Sequence, residues 1–282
     1  MSYENRLPPE GINVSSEHPL KEFLVLALGL AGAVGLVVLA LSFLAGWLIR
    51  FVPFELERTL FSQAAMGSPF AKAELDPQQQ EIQNYLQDLA DRLAFTQGLP
   101  EGMSIRVHYI DDQTVNAFAT VGGNVLMFRG LLQQLPHENA LSMVMAHEIA
   151  HIKHRDPLLA MGRALTVGVA LASLAGFADN TVANALAGRV ALFSTLKYSR
   201  DQEGAADIAA LETLQRHYGH VSGAEALFEV LEANRDTLTP PAILSTHPLT
   251  AARIAAIKAY ENNYPTAGHL SEIPASLGLK GG

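Results

Sequence analysis

The sequence predicts a mainly helical α+β fold, in which an N-terminal transmembrane helix precedes a larger domain that contains a small β-sheet. Two observations indicate this fold class. A long apolar segment without charges lies near the N-terminus. Further along the chain, segments whose apolar residues recur at helical spacing flank short segments in which apolar and polar residues alternate, as in a strand. A chain of 282 residues can hold one sizeable domain and a smaller part.

Composition limits the partners and the kinds of site. The formal net charge is -9 and no basic cluster stands out, which argues against nucleic acid as a partner. The chain has no cysteine, so disulfide bonds and thiolate metal sites are both excluded.

The apolar segment at 23–49 contains 27 residues without a charge. As a helix it would be about 40 Å long, which exceeds the ~30 Å hydrocarbon core of a bilayer. Trp47 lies near one end, where an interfacial aromatic residue is expected. The predicted divisions are a disordered polar tail at 1–20, a transmembrane anchor at 21–52 and a juxtamembrane linker at 53–74.

The charges beside the anchor bear on its orientation. Arg6 and Lys21 precede it and Arg50 and Arg58 follow it, so the positive-inside count is nearly balanced. A short tail before a single anchor favours a cytoplasmic tail. We therefore expect a single-pass protein of the inner membrane, with its large domain on the extracytoplasmic (periplasmic) side.

The predicted domain at 75–265 begins with a helix and a strand. Pro77 opens an amphipathic helix, because the apolar residues after it recur on one face. Residues 105–110 alternate like a strand. The apolar residues of the helical face are Ile82, Tyr85, Leu86, Leu89 and Leu93.

A β-hairpin is predicted next. Apolar runs at 115–119 and 125–128 flank a Gly-Gly-Asn turn at 122–124. A sheet edge here can pair with an extended peptide, as strand-adding binding sites do. The candidate substrate-binding residues are Asn116, Ala117, Phe118 and Ala119.

The motif His-Glu-Ile-Ala-His, which begins at His147, is the most informative part of the chain. Its helix should begin near Pro136 and end before Pro157. His147 and His151 then lie about one turn apart on one face, so both imidazoles can bind one zinc ion. Glu148 lies near the open side of the metal, where it can take a proton from a bound water.

A third ligand decides the type of zinc site. The metzincin extension needs glycine at position 154 and histidine at position 157, but this chain has His154 and Pro157. A glutamate from a second helix is the other common solution, and Glu203 is the candidate, with water in the fourth position. Asp207, one turn later, can accept a hydrogen bond from the far nitrogen of a ligand histidine. We interpret Asp156 as a helix-end or turn residue.

The remaining segments carry less information. Two apolar stretches between 164 and 196 favour a helical hairpin packed on the domain or on the membrane surface, since they are short for membrane spans. The residues at 266–282 are predicted to form a flexible C-terminal tail.

Several motifs resemble those of a known family. HEIAH followed by HRDP, then SRDQEGAAD, then STHP with Arg253, occur in the order seen in membrane zinc peptidases related to HtpX and the CAAX prenyl proteases. The resemblance covers roughly residues 75 to 262. It implies a zincin-like peptidase domain of the gluzincin type, with one zinc ion per chain.

The resemblance also implies roles for particular residues. His147, His151 and Glu203 would be the zinc ligands and Glu148 the general base. His247 would lie near the substrate, where it can stabilise the oxyanion of the tetrahedral intermediate. With its single clear span, this chain resembles the single-anchor members, which degrade damaged or misfolded proteins outside the cytoplasm.

These observations together predict a membrane-anchored zinc endopeptidase whose partners are polypeptide substrates and membrane lipid. The alternative is a membrane-anchored zinc-binding chaperone or adaptor without turnover. The presence of Glu148 disfavours that alternative. The sequence leaves the oligomeric state open.

Overall fold

The computed structural model describes residues 18–48, 51–65, 75–164, 198–233, 241–248, 250–264 and 268–279. Over these residues the chain is mainly helical with a three-stranded sheet, which confirms the predicted fold class at this level. The helices are α1 (Pro19–Leu48), α2 (Phe54–Ala65), α3 (Pro77–Gln97), α4 (Arg129–Leu132), α5 (Glu138–Lys153), α6 (Arg200–Tyr218), α7 (Glu225–Ala233), α8 (Ile243–Thr246) and α9 (Ala251–Asn263). The strands are β1 (Arg106–Ile110), β2 (Ala117–Thr120) and β3 (Asn124–Phe128). A further helical segment covers residues 156–164, and a 3-10 turn covers Ala275–Leu277.

Helix α1 is long and apolar enough to cross a membrane. It contains 30 residues, begins at Pro19 and exposes most of its large apolar side chains. The chain therefore has, within the described residues, one helix that could span a bilayer. The part of the predicted polar tail before position 18 lies outside the described residues.

Helix α3 has the predicted start and the predicted buried face. Asp76 caps it in a capping box with Gln79, and Pro77 occupies the first turn. Gly98 ends it in the left-handed conformation that glycine adopts without strain. The buried face contains Ile82, Leu86, Leu89 and Leu93, with Tyr85 packed half-buried beside them.

The sheet has the order β1-β3-β2, in which β2 and β3 form the predicted antiparallel hairpin and β1 runs parallel to β3. Side-chain amides of α3 cover the outer edge of β1. Gln83 bonds to Val107 O and Tyr109 N, and Gln87 bonds to Ile105 O and Val107 N, all at 2.7–3.0 Å. Strand β2 is therefore the other edge of this sheet.

Helix α5 is the centre of the core. It begins one residue after its cap, His137, and ends at Lys153, within the limits predicted from the two prolines. Residues 139–152 are all buried, because the helix packs against α3, α6 and β2. The side chains of α5 are therefore held from several directions, which favours a fixed geometry.

Residues 268–279, within the predicted flexible C-terminal tail, pack on the domain. Ile273, Leu277 and Leu279 are buried in the main core. The backbone of Ser271 pairs with the start of α5: Glu138 N donates to Ser271 O, and Ser271 N donates to Asn139 Oδ1, both at 2.8 Å. This segment has little regular secondary structure. Its apolar residues do not recur at helical or strand spacing, so the sequence pattern does not indicate that they are buried.

The predicted apolar hairpin at 164–196 falls, beyond position 164, outside the described residues. The proposed boundaries of the domain and of that hairpin stay predictions.

Candidate metal centre

Two histidines of α5 project into one buried space. His147 and His151 are 5% and 0% exposed, and their Nε2 atoms lie 3.1 Å apart. The helix is well capped, because the side chain of His137 accepts a hydrogen bond from Ala140 N. The structure thus places the two imidazoles of the motif as the four-residue spacing predicts.

Helix α6 brings Glu203 to the same space. The helix starts in a capping box formed by Ser199 and Gln202, which fixes its first turn. Each carboxylate oxygen of Glu203 lies 3.6 Å from one of the two histidine Nε2 atoms. Three side chains named from the sequence are therefore adjacent.

His247, which follows helix α8, completes the group. Its Nδ1 lies 3.0 Å from Glu203 Oε1 and 3.3 Å from His147 Nε2. Its Nε2 is buried, has no hydrogen-bond partner within the described parts of the chain, and lies 3.4 Å from Glu148 Oε1. The sequence indicated His247 near the substrate, but it gave no reason to expect the ring among the candidate ligands.

These four side chains surround a space that fits a zinc ion, and His147, His151 and Glu203 alone would leave the fourth position open for water. Their ligand atoms all lie within 4.8 Å of one another, and all four residues are buried. Imidazole nitrogens and carboxylate oxygens are common zinc ligands, and tetrahedral bonds of ~2.0–2.1 Å separate neighbouring ligand atoms by about 3.3 Å. The observed separations of 3.0–3.6 Å agree with that spacing.

A carboxylate holds the far nitrogen of each motif histidine. Asp207 Oδ1 lies 3.0 Å from His147 Nδ1, and Asp156 Oδ2 lies 2.8 Å from His151 Nδ1. Such contacts fix the ring orientation and the tautomer of a metal ligand. Asp156 lies at a helix end, as interpreted from the sequence, and it also has a contact that the sequence did not indicate: it is 3% exposed and accepts a second hydrogen bond from Gln202.

Arg253 of α9 joins the two carboxylates of α6. Its Nε and Nη2 donate to Asp207 at 2.7 and 2.8 Å, and its Nη1 lies 2.7 Å from Glu203 Oε2. It is 8% exposed, so its charge is compensated almost entirely by these two groups. The residue belongs to a motif noted in the sequence, but only the packing of α9 on α6 gives it this role.

Glu148 connects α5 to the edge strand. Its Oε2 accepts a hydrogen bond from Ala119 N at 2.7 Å, and the residue is 1% exposed. Tyr198 lies on the other side, with its ring stacked on His151 at 4.0 Å and its hydroxyl donating to Ala119 O. Sequence analysis did not identify Tyr198, because no spacing relates it to the motif.

The surroundings give the ionisable groups distinct pKa shifts. Burial lowers the pKa of His147. Burial also opposes protonation of His151, but the carboxylates of Asp156 and Glu203 raise its pKa to about 9. Burial raises the pKa of Glu203, yet the neighbouring histidines hold it well below its usual range. Without metal the group therefore combines a neutral imidazole, a protonated one and an ionised carboxylate at neutral pH.

The register of the hairpin shows which backbone groups of β2 point outward. Because Phe128 N donates to Asn116 O, the hydrogen-bonded pairs include Phe118 with Leu126. Ala117 and Ala119 therefore direct their N–H and C=O groups away from β3. The outward groups of Ala119 bond to Glu148 and Tyr198, whereas Ala117, the other residue of the strand with this orientation, is 0% exposed.

The sequence of residues 77–261 matches the profile of peptidase family M48. The chain belongs to this family. M48 peptidases are zinc metalloendopeptidases, in agreement with the donor set described above. The family match begins at the first residue of α3 and ends within α9.

Three relatives illustrate the range of the M48 family. The beta-barrel assembly-enhancing protease of Escherichia coli K12 is 33% identical over 160 residues, which are 52% of this chain and 32% of that protein. The mitochondrial metalloendopeptidase OMA1 of Schizosaccharomyces pombe is 29% identical over 177 residues, 62% of this chain and 51% of that protein. The protease HtpX homolog of Ralstonia pickettii is 31% identical over 219 residues, 63% of this chain and 74% of that protein. The chain thus spans about a third of the first relative and half of the second.

Proposed function

We propose that this M48 protein is a membrane-anchored endopeptidase that hydrolyses peptide bonds of misfolded or damaged proteins at the membrane. One observation carries the proposal. The buried carboxylate of Glu148 lies between the edge strand, from which it accepts the Ala119 N–H at 2.7 Å, and His247, whose Nε2 is 3.4 Å away. A proton acceptor thus lies between a metal-binding group and a strand edge that can hold a peptide.

His147, His151 and Glu203 are the proposed ligands of one zinc ion per chain. Asp207 and Asp156 orient the two rings through their far nitrogens. When bound, zinc supplies a Lewis acid that lowers the pKa of water from ~15.7 towards about 7 and polarises the scissile carbonyl. With these ligands the domain would be a zincin of the gluzincin type.

The other site residues act on protons. Glu148 accepts the proton of the attacking water and passes it to the leaving amine. His247 donates a hydrogen bond to the oxyanion that develops on the carbonyl. The ring of Tyr198 stacked on His151 limits the access of solvent to the same space.

The substrate is proposed to lie along β2, at Asn116, Ala117, Phe118 and Ala119. Two features support this position: the N–H and C=O groups of Ala117 point away from β3, and the buried Oδ1 of Asn116 has no hydrogen-bond partner among the described residues. Ala117 is 0% exposed, so pairing requires the groups that cover β2 to move aside. Pairing through the backbone holds a substrate with little dependence on its side chains. Loose sequence specificity follows, which suits unfolded substrates.

Ala117→Pro tests this placement. Proline removes the outward N–H and keeps the bonds to β3, which come from the neighbouring residues. Because Ala117 is 0% exposed, thermal unfolding of the variant is measured beside its kinetics. We expect KM for a peptide substrate to rise about 2- to 12-fold, the value of one hydrogen bond, with kcat nearly unchanged. Ala117→Gly keeps the N–H and serves as the control. Equal KM values for Ala117→Pro and Ala117→Gly would contradict pairing at this position.

Helix α1 is proposed to anchor the peptidase in the inner membrane, with the domain on the periplasmic side. A reporter that is active only outside the cytoplasm, joined after position 282 through a spacer, should be active in cells. Activity of the same reporter only at the N-terminus would reverse the proposed orientation.

Hydrolysis of casein, an unfolded protein, tests the proposed activity. The detergent-solubilised full chain should cleave casein, lose this activity with a zinc chelator, and regain it when zinc is restored. A chain that binds zinc, is folded and leaves casein and a set of unfolded polypeptides intact would contradict the endopeptidase. That result would favour the zinc-binding chaperone or adaptor instead.

A further inference from the structure

Helix α2, which follows the membrane helix, packs on the β2–β3 turn. A Cβ atom at Gly122 would lie 2.8 Å from Arg58 Cα and 2.9 Å from Glu57 O, so the helix and the turn are in direct contact. Val52, just before α2, packs against a small apolar cluster that contains Val121 and Leu158. Residues 52–58, just after the membrane helix, are therefore part of the folded unit.

Glu57 is the charged group at the centre of this contact. It is 4% exposed, although its neighbours on the helix, at 55–56 and 58–59, are exposed. Its Oε1 accepts hydrogen bonds from Nε and Nη2 of Arg155, the former at 2.8 Å, and its Oε2 accepts one from Gly122 N at 3.3 Å. A buried carboxylate with these partners holds two separate parts of the domain in one place.

Arg155 occupies an unusual backbone position. It lies between the end of α5 and the helical segment at 156–164, and its φ is +62°. Left-handed backbone is uncommon for a residue with a side chain, and it persists where the surroundings impose it. The paired Glu57 carboxylate is the contact that holds the Arg155 side chain.

The residue after Arg155 is Asp156, whose Oδ2 lies 2.8 Å from His151 Nδ1. The direction of the Asp156 side chain depends on the backbone turn at Arg155. A continuous series of contacts therefore leads from α2, through Glu57 and Arg155, to a carboxylate that orients a candidate zinc ligand.

We propose that Glu57 is a positioning residue of the metal site: by holding Arg155 it sets Asp156 against His151. This inference rests on the proposed function, since it gives His151 the role of a ligand. Glu57 precedes the residues 77–261 that match the family, so the contact is a property of this chain's membrane-proximal segment. The helix next to the anchor thereby belongs to the support of the catalytic centre.

Zinc affinity of the full chain in detergent, measured by competition with a chromophoric chelator, tests the proposal. Glu57→Gln should weaken zinc binding about 10- to 100-fold, as loss of a group that orients a metal ligand does. It should lower kcat for casein with KM nearly unchanged.

Glu55→Gln is the matched control, because Glu55 lies on the same helix in an exposed ion pair with Arg58. The zinc affinity and kcat of this variant should match those of wild type. Arg155→Lys keeps the positive charge but not the paired contact with Glu57, so its loss of zinc affinity should be smaller than that of Glu57→Gln.

A double-mutant cycle shows whether Glu57 acts through Asp156. Asp156→Asn should weaken zinc binding, and adding Glu57→Gln should weaken it little further, because the two changes interrupt the same contact. If the loss of zinc affinity in the double variant equals the product of the losses in the two single variants, the proposal is overturned. So would a Glu57→Gln protein that melts at a lower temperature without zinc but binds zinc as wild type does, because that is the result of a purely structural role.

The same measurements separate this inference from the proposed function. Weakened zinc binding in Glu57→Gln, with no casein hydrolysis by wild type, would support the positioning role and refute the peptidase. Normal hydrolysis and zinc binding in Glu57→Gln would refute only the positioning role. A wild-type chain that binds no zinc would overturn both.

Discussion

Glu148→Gln should reduce kcat for casein by about 10²- to 10⁴-fold, the usual contribution of a general acid–base group. The amide has nearly the same shape as the carboxylate. Its oxygen can still accept the hydrogen bond from Ala119 N that Glu148 Oε2 accepts at 2.7 Å. An amide cannot take a proton from water, however, so the loss should appear in kcat rather than in KM.

Zinc content and thermal unfolding are the controls for this variant. Both should match wild type, because the substitution keeps the volume and the hydrogen bond of a side chain that is 1% exposed. Glu148→Asp, which keeps the carboxylate but shortens it, should retain more activity than Glu148→Gln. A Glu148→Gln protein with wild-type kcat that is still sensitive to chelator would assign the general base to another residue.

Arg253→Met should lower the free energy of unfolding of the zinc-free protein by about 3–5 kcal/mol, the cost of removing one partner of a buried ion pair. The arginine contacts Asp207 through two nitrogens and Glu203 through the third. Methionine fills much of the same volume but leaves both carboxylates buried without this cation. Chemical denaturation with and without zinc measures the effect.

Arg253→Lys is the matched variant. It keeps the positive charge but cannot form the paired contact with Asp207, so its loss of stability should be smaller. If Arg253→Met and wild type unfold at the same denaturant concentration, the buried pair contributes no net stability. The site would then be held by helix packing alone.

The effect of Arg253→Met should depend on pH. Burial raises the pKa of Asp207, but hydrogen bonds from Arg253 and His147 outweigh it and hold this pKa below its usual value. Stability from a lowered carboxylate pKa is present above the unfolded value of about 3.9, and is lost as pH falls through the folded value. The difference in the free energy of unfolding between wild type and Arg253→Met should therefore be largest at neutral pH and decrease in acid.

Local patterns were sufficient to predict part of the candidate site. The four-residue spacing of His147 and His151, and the same spacing of Glu203 and Asp207, follow from helix geometry, which any well-formed helix reproduces. The hairpin followed from its Gly-Gly-Asn turn. The structure brings these elements together as the sequence indicated.

Other contributions could not be predicted, because they depend on which distant surfaces meet. Asp156 follows the motif by only five residues, but its contact with His151 depends on the turn at Arg155, where a residue other than glycine has a positive φ. Arg253 and Tyr198 reach the site through the packing of separate segments. No spacing rule relates such residues to the motif.

The distance along the chain between the site's components also affects biosynthesis. His151 and Arg253 are separated by roughly 100 residues, which a ribosome adds in about 5–20 s at ordinary rates. During that interval the helix with the HEIAH motif can exist while the candidate ligand Glu203 and then the Arg253 cation are still missing. A nascent or truncated chain that ends before α9 therefore lacks the Arg253 contacts with Asp207 and Glu203, so its candidate metal site is incomplete.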